Sequence, residues 1–175
     1  MDKLIIFDLD NTLIASDNYE LDIIRRSMVR NCNISRLQNF ISGHGRMAQI
    51  PAELVAAMKK KFFLAVFSKA PQAYVNFMLQ LHYPDVSWDA VVCYEDVNGR
   101  FKPDPYGIRM AMMKTRITAN SNVLFIGDDC RDRRTAINAG INYFHWNGFR
   151  DQISYNQCIS QLSVLCYPES TSLSG

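Results

Sequence analysis

Short, uninterrupted apolar runs punctuate the chain at Lys3 to Phe7, Phe63 to Phe67, Ala90 to Cys93, Val123 to Ile126 and Ile141 to Phe144. Continuous rather than alternating hydrophobicity suits strands covered on both faces, as in a parallel sheet. Parallel neighbours need crossover connections, and between most of these runs lies enough sequence for a helix. Helical spacing is clearest in Tyr74, Phe77, Met78 and Leu81, which fall on one stripe, and over Tyr106 to Met113 around Ile108 and Met112. Lys59 to Lys61 close a further helix, where positive charge suits the dipole. Gly140 follows Arg131 to Ala139 and is placed to end a helix in the left-handed region. The pattern predicts an α/β sheet with helices on both faces.

One interval breaks the rhythm. Asn11 to Lys61 is about two helices too long for a simple crossover. Glu20 to Arg30 reads as an amphipathic helix with Leu21, Ile24 and Met28 on one side, and Ser35 to Ile41 as a second helix. A glycine-flanked turn follows at Gly43-His44-Gly45. Residues 15–50 are therefore expected to form a small helical cap, inserted into a core made of residues 1–14 and 51–167. The apolar cap face could pack on the core or pair between chains, and periodicity does not separate the two. Residues 168–175 lack the apolar content to pack and are expected to be disordered. No internal repeat is visible.

A chain of 175 residues with 48% hydrophobic composition is expected to make one compact domain with a self-sufficient core. The longest purely apolar stretch, Phe62 to Phe67, is far short of the ~20 residues that cross a bilayer. Leu4 to Phe7 is too short for the apolar region of a signal peptide. Nineteen basic against seventeen acidic residues leave a net charge of +2, which gives no electrostatic instruction toward nucleic acid or a membrane surface. The cysteines, Cys32, Cys93, Cys130, Cys158 and Cys166, are odd in number and have neither CxxC pairing nor zinc spacing. They read as reduced thiols of a cytoplasmic protein.

In open α/β sheets ligands bind beyond the carboxyl ends of the strands, so polar residues directly after the apolar runs matter most. Four such places stand out: Asp8-Leu9-Asp10-Asn11-Thr12, Ser68-Lys69, Lys102-Pro103-Asp104-Pro105, and Gly127-Asp128-Asp129-Cys130-Arg131-Asp132. Carboxylates gathered on one rim repel and raise one another's pKa unless a cation resolves the conflict. A hard ion such as Mg²⁺ takes oxygen ligands and leaves room for a phosphate oxygen. With a nearby lysine and serine, the cluster reads as a phosphoryl-transfer site in which one aspartate attacks in line.

These segments carry a resemblance. LIIFDLDNTL at residues 4–13, VFSKAP at 66–71, FKPDPYGI at 101–108 and VLFIGDDCRDRRTAINAGI at 123–141 are similar, in order and spacing, to the haloacid dehalogenase-like (HAD) superfamily of aspartate-nucleophile phosphohydrolases. The resemblance spans Lys3 to about Phe149. It implies a Rossmann-like three-layer sandwich around a mostly parallel sheet, and an Mg²⁺-dependent phosphatase acting on a small phosphorylated substrate.

Carried over by position, the resemblance implies that Asp8 is the nucleophile and a metal ligand. Asp10 then protonates the leaving group and activates water, its backbone carbonyl touching the metal. Ser68 and Lys102 hold the phosphoryl oxygens, Lys69 and Thr12 are further candidates for phosphate contact, and Thr12 also supports the turn after the nucleophile. Asp128 completes the metal shell, and Asp132 ligates directly or orients Lys102. The presence of Asp10 favours phosphate over carbon–halogen chemistry, because only a phosphate ester needs its leaving group protonated. Asn11, where many relatives have glycine, suits a left-handed turn. Relatives often carry a larger cap, so the site here is expected to be open. Asp129 reads as a helix cap, Arg131 as part of a solvated helix face, and His44 as a residue of a mobile turn. Alternative readings are a phosphotransferase, a nucleotide or polynucleotide-end phosphatase, or a non-catalytic phosphate-binding module.

Overall fold

In a computed structural model the chain is described over residues 2–45, 47–148 and 150–166. The expected tail at 168–175 lies outside the described residues. Five strands, β1 (Leu4–Phe7), β2 (Phe63–Phe67), β3 (Ala90–Val92), β4 (Val123–Gly127) and β5 (Asn142–His145), form one parallel sheet in the order β3-β2-β1-β4-β5. The helices are α1 (Tyr19–Ser27), α2 (Ile34–His44), α3 (Ala52–Lys59), α4 (Gln72–His82), α5 (Tyr106–Thr115), α6 (Cys130–Ala139) and α7 (Gln152–Cys166).

The continuous apolar runs become central strands because alternate residues enter two separate cores. Ile5, Phe7, Leu64 and Val66 belong to one, together with residues of α1 to α4 and α7. Leu4, Ile6, Ala65 and Phe67 belong to the other, together with residues of α5 and α6. All four residues of β1 are buried. The result is the expected three-layer α/β sandwich. Phe7 is in register with Val66 on one side and Ile126 on the other, so the chain winds outward from β1 in both directions. That reversal of strand order opens a crevice at the carboxyl end of β1.

Between β1 and β2 the insertion contains α1 and α2. Its ends are tied together: Ala15 N donates to Met47 O at 2.7 Å, and Gln49 N to Leu13 O at 2.8 Å. Leu21, Ile24 and Met28 are buried in the same cluster as Phe7 and Val66, which answers where this apolar face packs. Asn18 caps α1, accepting from Glu20 N and Leu21 N. This helix ends at Ser27, three residues earlier than its periodicity predicts.

Three other elements differ from the pattern. Leu81 was expected on the buried stripe of α4 but is 45% exposed; the stripe is Tyr74, Val75, Met78, Leu79 and His82. The buried positions are i, i+1, i+4, i+5 and i+8, and the apolar ones join the cluster that holds Phe7 and Val66, while Leu81 falls on the far flank. The Gly43-His44-Gly45 turn is instead the last turn of α2, which runs through His44 and stops at Gly45. Helix α7 had no visible signal, because two of its three buried residues, Cys158 and Cys166 beside Leu162, are cysteines packed as small apolar groups. Gly140 adopts φ 70° at the end of α6, as its position predicts. No described helix is long and apolar enough to cross a membrane, and the five cysteines are free thiols.

Candidate active site

The chain leaves β1 through Asp8, whose N–H donates to Ile126 O of β4 at 2.8 Å, and turns back at once. Leu13 N and Ile14 N both donate to Leu9 O, while Asn11 sits at φ 60°. Asparagine tolerates that conformation, and its Oδ1 here accepts from Ser16 N and Ser16 Oγ, which fixes the turn. At the end of β4, Asp128 precedes Asp129, which caps α6 by accepting from Arg131 N at 2.7 Å and Asp132 N at 2.9 Å. Asp132 returns the contact from Asp129 N, completing a capping box. Gly127 permits this fold-back, since a Cβ there would lie 2.5 Å from Asp132 Oδ2.

These turns bring Asp8, Asp128 and Asp132 together, each offering one carboxylate oxygen within 4.8 Å of the others. Lys102 reaches in from the loop before α5. Its ammonium contacts Asp8 Oδ1 and lies 2.8 Å from Asp132 Oδ1, flanked by the rings of Phe67 and Phe125. Thr12 Oγ1 donates to Asp128 Oδ1 at 3.3 Å from a fully buried position, so it stands behind the carboxylates. Ser68 is buried at the end of β2, where its Oγ accepts from Ala70 N at 3.0 Å. Lys69 beside it is exposed. Asp8, Asp10, Ser68, Lys69, Lys102, Asp128 and Asp132 all line one open cleft of about 690 Å³.

Asp10 stands apart from the other carboxylates. Tyr74 Oη donates to its Oδ1 at 3.0 Å, and Arg25 Nη1 of α1 lies 2.6 Å from its Oδ2. These two partners are the site residues that sequence reasoning missed. Tyr74 reads as core, and it is core, with its hydroxyl reaching the cleft. Arg25 follows the buried Ile24 on an apolar helix face, and an arginine there is a signal only once the face is known to overlook a site.

Burial pushes the Asp8 carboxyl well above the usual carboxylate range; Lys102 opposes the shift, while Asp132 and Asp10 add to it. Asp128 is pushed up to about 6 by burial, then by Asp132 and Asp129. Burial alone would pull Lys102 down, but Asp8 and Asp132 more than offset it and hold the ammonium charged. Burial, then the neighbouring Arg131 and Lys102 charges, lower Lys69. The site thus has more carboxylate than its lysine can neutralise. An all-oxygen donor set with surplus negative charge fits a hard divalent cation.

Other candidates sit elsewhere. His44 stacks on Phe40 with ring centroids 3.9 Å apart and does not line the cleft. Arg131 does line it, but is engaged by Asp129 Oδ2 at 2.6 Å. Cys130 is the exposed first residue of α6.

Comparison with known proteins agrees with this architecture. A HAD-superfamily hydrolase of subfamily IA from Geobacter sulfurreducens superposes with a TM-score of 0.62 at 19% identity, covering 83% of this chain and 89% of its own. CbbY from Rhodobacter sphaeroides, in complex with xylulose-(1,5)bisphosphate, gives 0.62 at 15% identity over 82% and 85%. A dehalogenase gives 0.64 at 15% identity over 95% and 96%. At these identities the likeness is one of fold. Among curated protein sequences none is similar to this chain. The family profile of haloacid dehalogenase-like hydrolases matches residues 46–145, more than half of the sequence, and the chain belongs to that family.

Proposed function

We propose that the protein is an Mg²⁺-dependent phosphatase that hydrolyses a phosphate monoester through a phosphorylated Asp8. The observation that carries this reading is the gathering of Asp8, Asp128 and Asp132 within 4.8 Å around Lys102, with Asp10 two residues beyond Asp8 at the mouth of the same cleft. Asp8, Asp128 and Asp132, with the Asp10 carbonyl, are the groups that would hold the ion. When bound, Mg²⁺ supplies neutralising charge for the carboxylates and the phosphoryl oxygens.

The chain's own residues then divide the work. Lys102, with Ser68 and Lys69 at the end of β2, binds the phosphoryl oxygens and holds the phosphorus in line with Asp8. An Asp8 oxygen forms a bond to phosphorus as the ester P–O bond breaks, and Asp10 gives its proton to the departing alkoxide. Asp10 then takes a proton from water, whose oxygen attacks the same phosphorus and breaks the bond to Asp8. Inorganic phosphate and the free alcohol leave, and both aspartates are restored. Residues 15–50 act as a reduced cap, contributing Arg25 to one wall of the cleft.

A dehalogenase also attacks through an aspartate, and the fold accommodates both chemistries. The ordered environment of Asp10 favours phosphate, since a halide leaving group needs no proton. The test is phosphate release from 4-nitrophenyl phosphate with and without Mg²⁺, comparing the native chain with Asp8→Asn. Metal-dependent turnover that falls by at least about 10³ in the variant supports the reading. Phosphate bound without release by a folded native chain supports the non-catalytic alternative instead.

A further inference from the structure

The turn after β1 fixes the Asp10 backbone but not its carboxyl group. Leu13 N and Ile14 N donate to Leu9 O, and Asn11 N donates to Ile14 O at 2.7 Å, so the main chain around Asp10 is settled locally. The carboxyl is settled from elsewhere, by the Tyr74 hydroxyl donating to Oδ1 at 3.0 Å and by Arg25 Nη1 lying 2.6 Å from Oδ2. A carboxylate held at one oxygen pivots about that contact, whereas one held at both has its plane fixed. Each oxygen has room for a second hydrogen bond, so both contacts persist while Asp10 exchanges a proton with a leaving oxygen or a water.

The two holders are unlike. Arg25 stands on α1 in the insertion, on a long side chain that is 24% exposed and also paired with Asp22. Tyr74 is fully buried in the first turn of α4. That turn is itself anchored, because Gln72 N donates to Glu95 Oε2 at 2.9 Å and Val75 N to Pro71 O at 3.0 Å. Ser68, six residues before Tyr74, lies at the end of β2, where its Oγ accepts from Ala70 N at 3.0 Å. One short stretch of core therefore carries both a residue assigned to the phosphoryl oxygens and the hydroxyl that holds the acid.

A buried tyrosine has to place its hydroxyl on a partner. Tyr83, directly after α4, donates to two backbone carbonyls, Leu13 O at 2.8 Å and Ile50 O at 2.9 Å, which ties main-chain segments together. Tyr74 instead reaches through the apolar cluster to one side-chain carboxylate at the edge of the cleft, and it does not line the cleft itself. Phenylalanine would fill the same core position, so the work of the oxygen lies at Asp10. Given the phosphatase reading, we propose that Tyr74 is the positioning residue for Asp10, its hydroxyl aiming the carboxyl first at the ester oxygen and then at the attacking water.

Tyr74→Phe, which removes one oxygen from a packed ring, tests this on a graded series of 4-nitrophenyl, phenyl and benzyl phosphate. The first ester releases an anion that needs little protonation, and the last releases an alkoxide that needs it fully. The loss in kcat/KM is expected to grow along the series, ending roughly 10- to 100-fold larger for benzyl than for 4-nitrophenyl phosphate, the scale of a misplaced catalytic group. With 4-nitrophenyl phosphate kcat and KM should fall together, because hydrolysis of phosphorylated Asp8 still needs Asp10 as base and becomes the slow step. Affinity for inorganic phosphate in the presence of Mg²⁺, read by calorimetry, should match that of the native chain, since Tyr74 holds no phosphoryl oxygen. On an Asp10→Asn background Tyr74→Phe should cost nothing further in the residual 4-nitrophenyl phosphate kcat/KM, because two residues acting as a unit are not additive. A loss that is equal across the series, no loss, a further loss on the Asp10→Asn background, or a Tyr74→Phe chain that no longer folds overturns the proposal, while native turnover of 4-nitrophenyl phosphate leaves the phosphatase reading standing. Absence of turnover of all three esters by the native chain overturns both.

Discussion

The Lys102 ammonium lies 2.8 Å from Asp132 Oδ1 in a position where each side chain is only 3% exposed, and the same ammonium also contacts Asp8. One cation therefore holds two carboxylates delivered by different strand ends. Replacing it by the similarly sized Lys102→Met leaves buried acids without a partner, which costs about 3 kcal/mol when a buried pair is broken. The expected result in urea denaturation at pH 7 is a loss of that order. Adding Mg²⁺ should recover part of it, since a divalent ion answers the same charge. Activity should not return, because the phosphoryl oxygens still lack the lysine.

Gly127 allows Asp132 to fold back beneath the end of β4, because a Cβ at this position would meet Asp132 Oδ2 at 2.5 Å and its Cβ and Cγ at 2.7 Å. These contacts are close to the backbone rather than at the end of a flexible chain, so the aspartate has to move. Gly127→Ala is expected to destabilise by about 1–3 kcal/mol, the usual cost of overpacking. It should weaken Mg²⁺ binding more than Asp129→Ala, which removes the helix cap at about 1 kcal/mol but leaves the three-carboxylate cluster in place. Mg²⁺ titration of both variants by calorimetry checks the order; equal weakening would show that Asp132 is not a determinant of the metal site.

Much of this architecture is legible along the chain because β1, β2 and β4 are buried on both faces, and burial on both faces writes itself as an uninterrupted apolar run. The acids follow those runs directly, so Asp8, Asp128 and Asp132 can be placed at one sheet end before any coordinates exist. The pairing of Asp10 with Arg25 and Tyr74 is of a different kind. It depends on α1 and α4 both reaching the Asp10 turn, a tertiary relationship between residues 49 positions apart in the case of Arg25 and Tyr74. The same limit explains Leu81: spacing at i, i+3, i+4 and i+7 marks a face, but tertiary packing decides which flank of it is covered. Met78→Ala is therefore expected to cost about 2–4 kcal/mol as a buried large-to-small change, and Leu81→Ser to stay within about 0.5 kcal/mol. Chemical denaturation of the two variants separates them, and a Leu81→Ser loss as large as that of Met78→Ala would overturn the assigned face.

The raised pKa of Asp128 makes the metal-free protein and the metal complex respond to acid in opposite directions. With its pKa pushed up to about 6 from the usual value of 3.8, Asp128 binds a proton more readily folded than unfolded. Between these two values the folded state holds more protons, so the slope of unfolding free energy against pH is negative. The metal-free protein should gain stability from this group as pH falls from about 7 to 4, by about 1 kcal/mol after allowance for solvent screening. Asp128→Asn should remove that gain and raise metal-free stability at pH 7 by a similar amount. Mg²⁺ needs the carboxylate ionised, so its affinity should fall up to about tenfold per pH unit below pH 6. Thermal unfolding with and without Mg²⁺ across this range is the measurement: the two stability curves should converge on acidification, whereas parallel curves would show that Asp128 does not hold the ion.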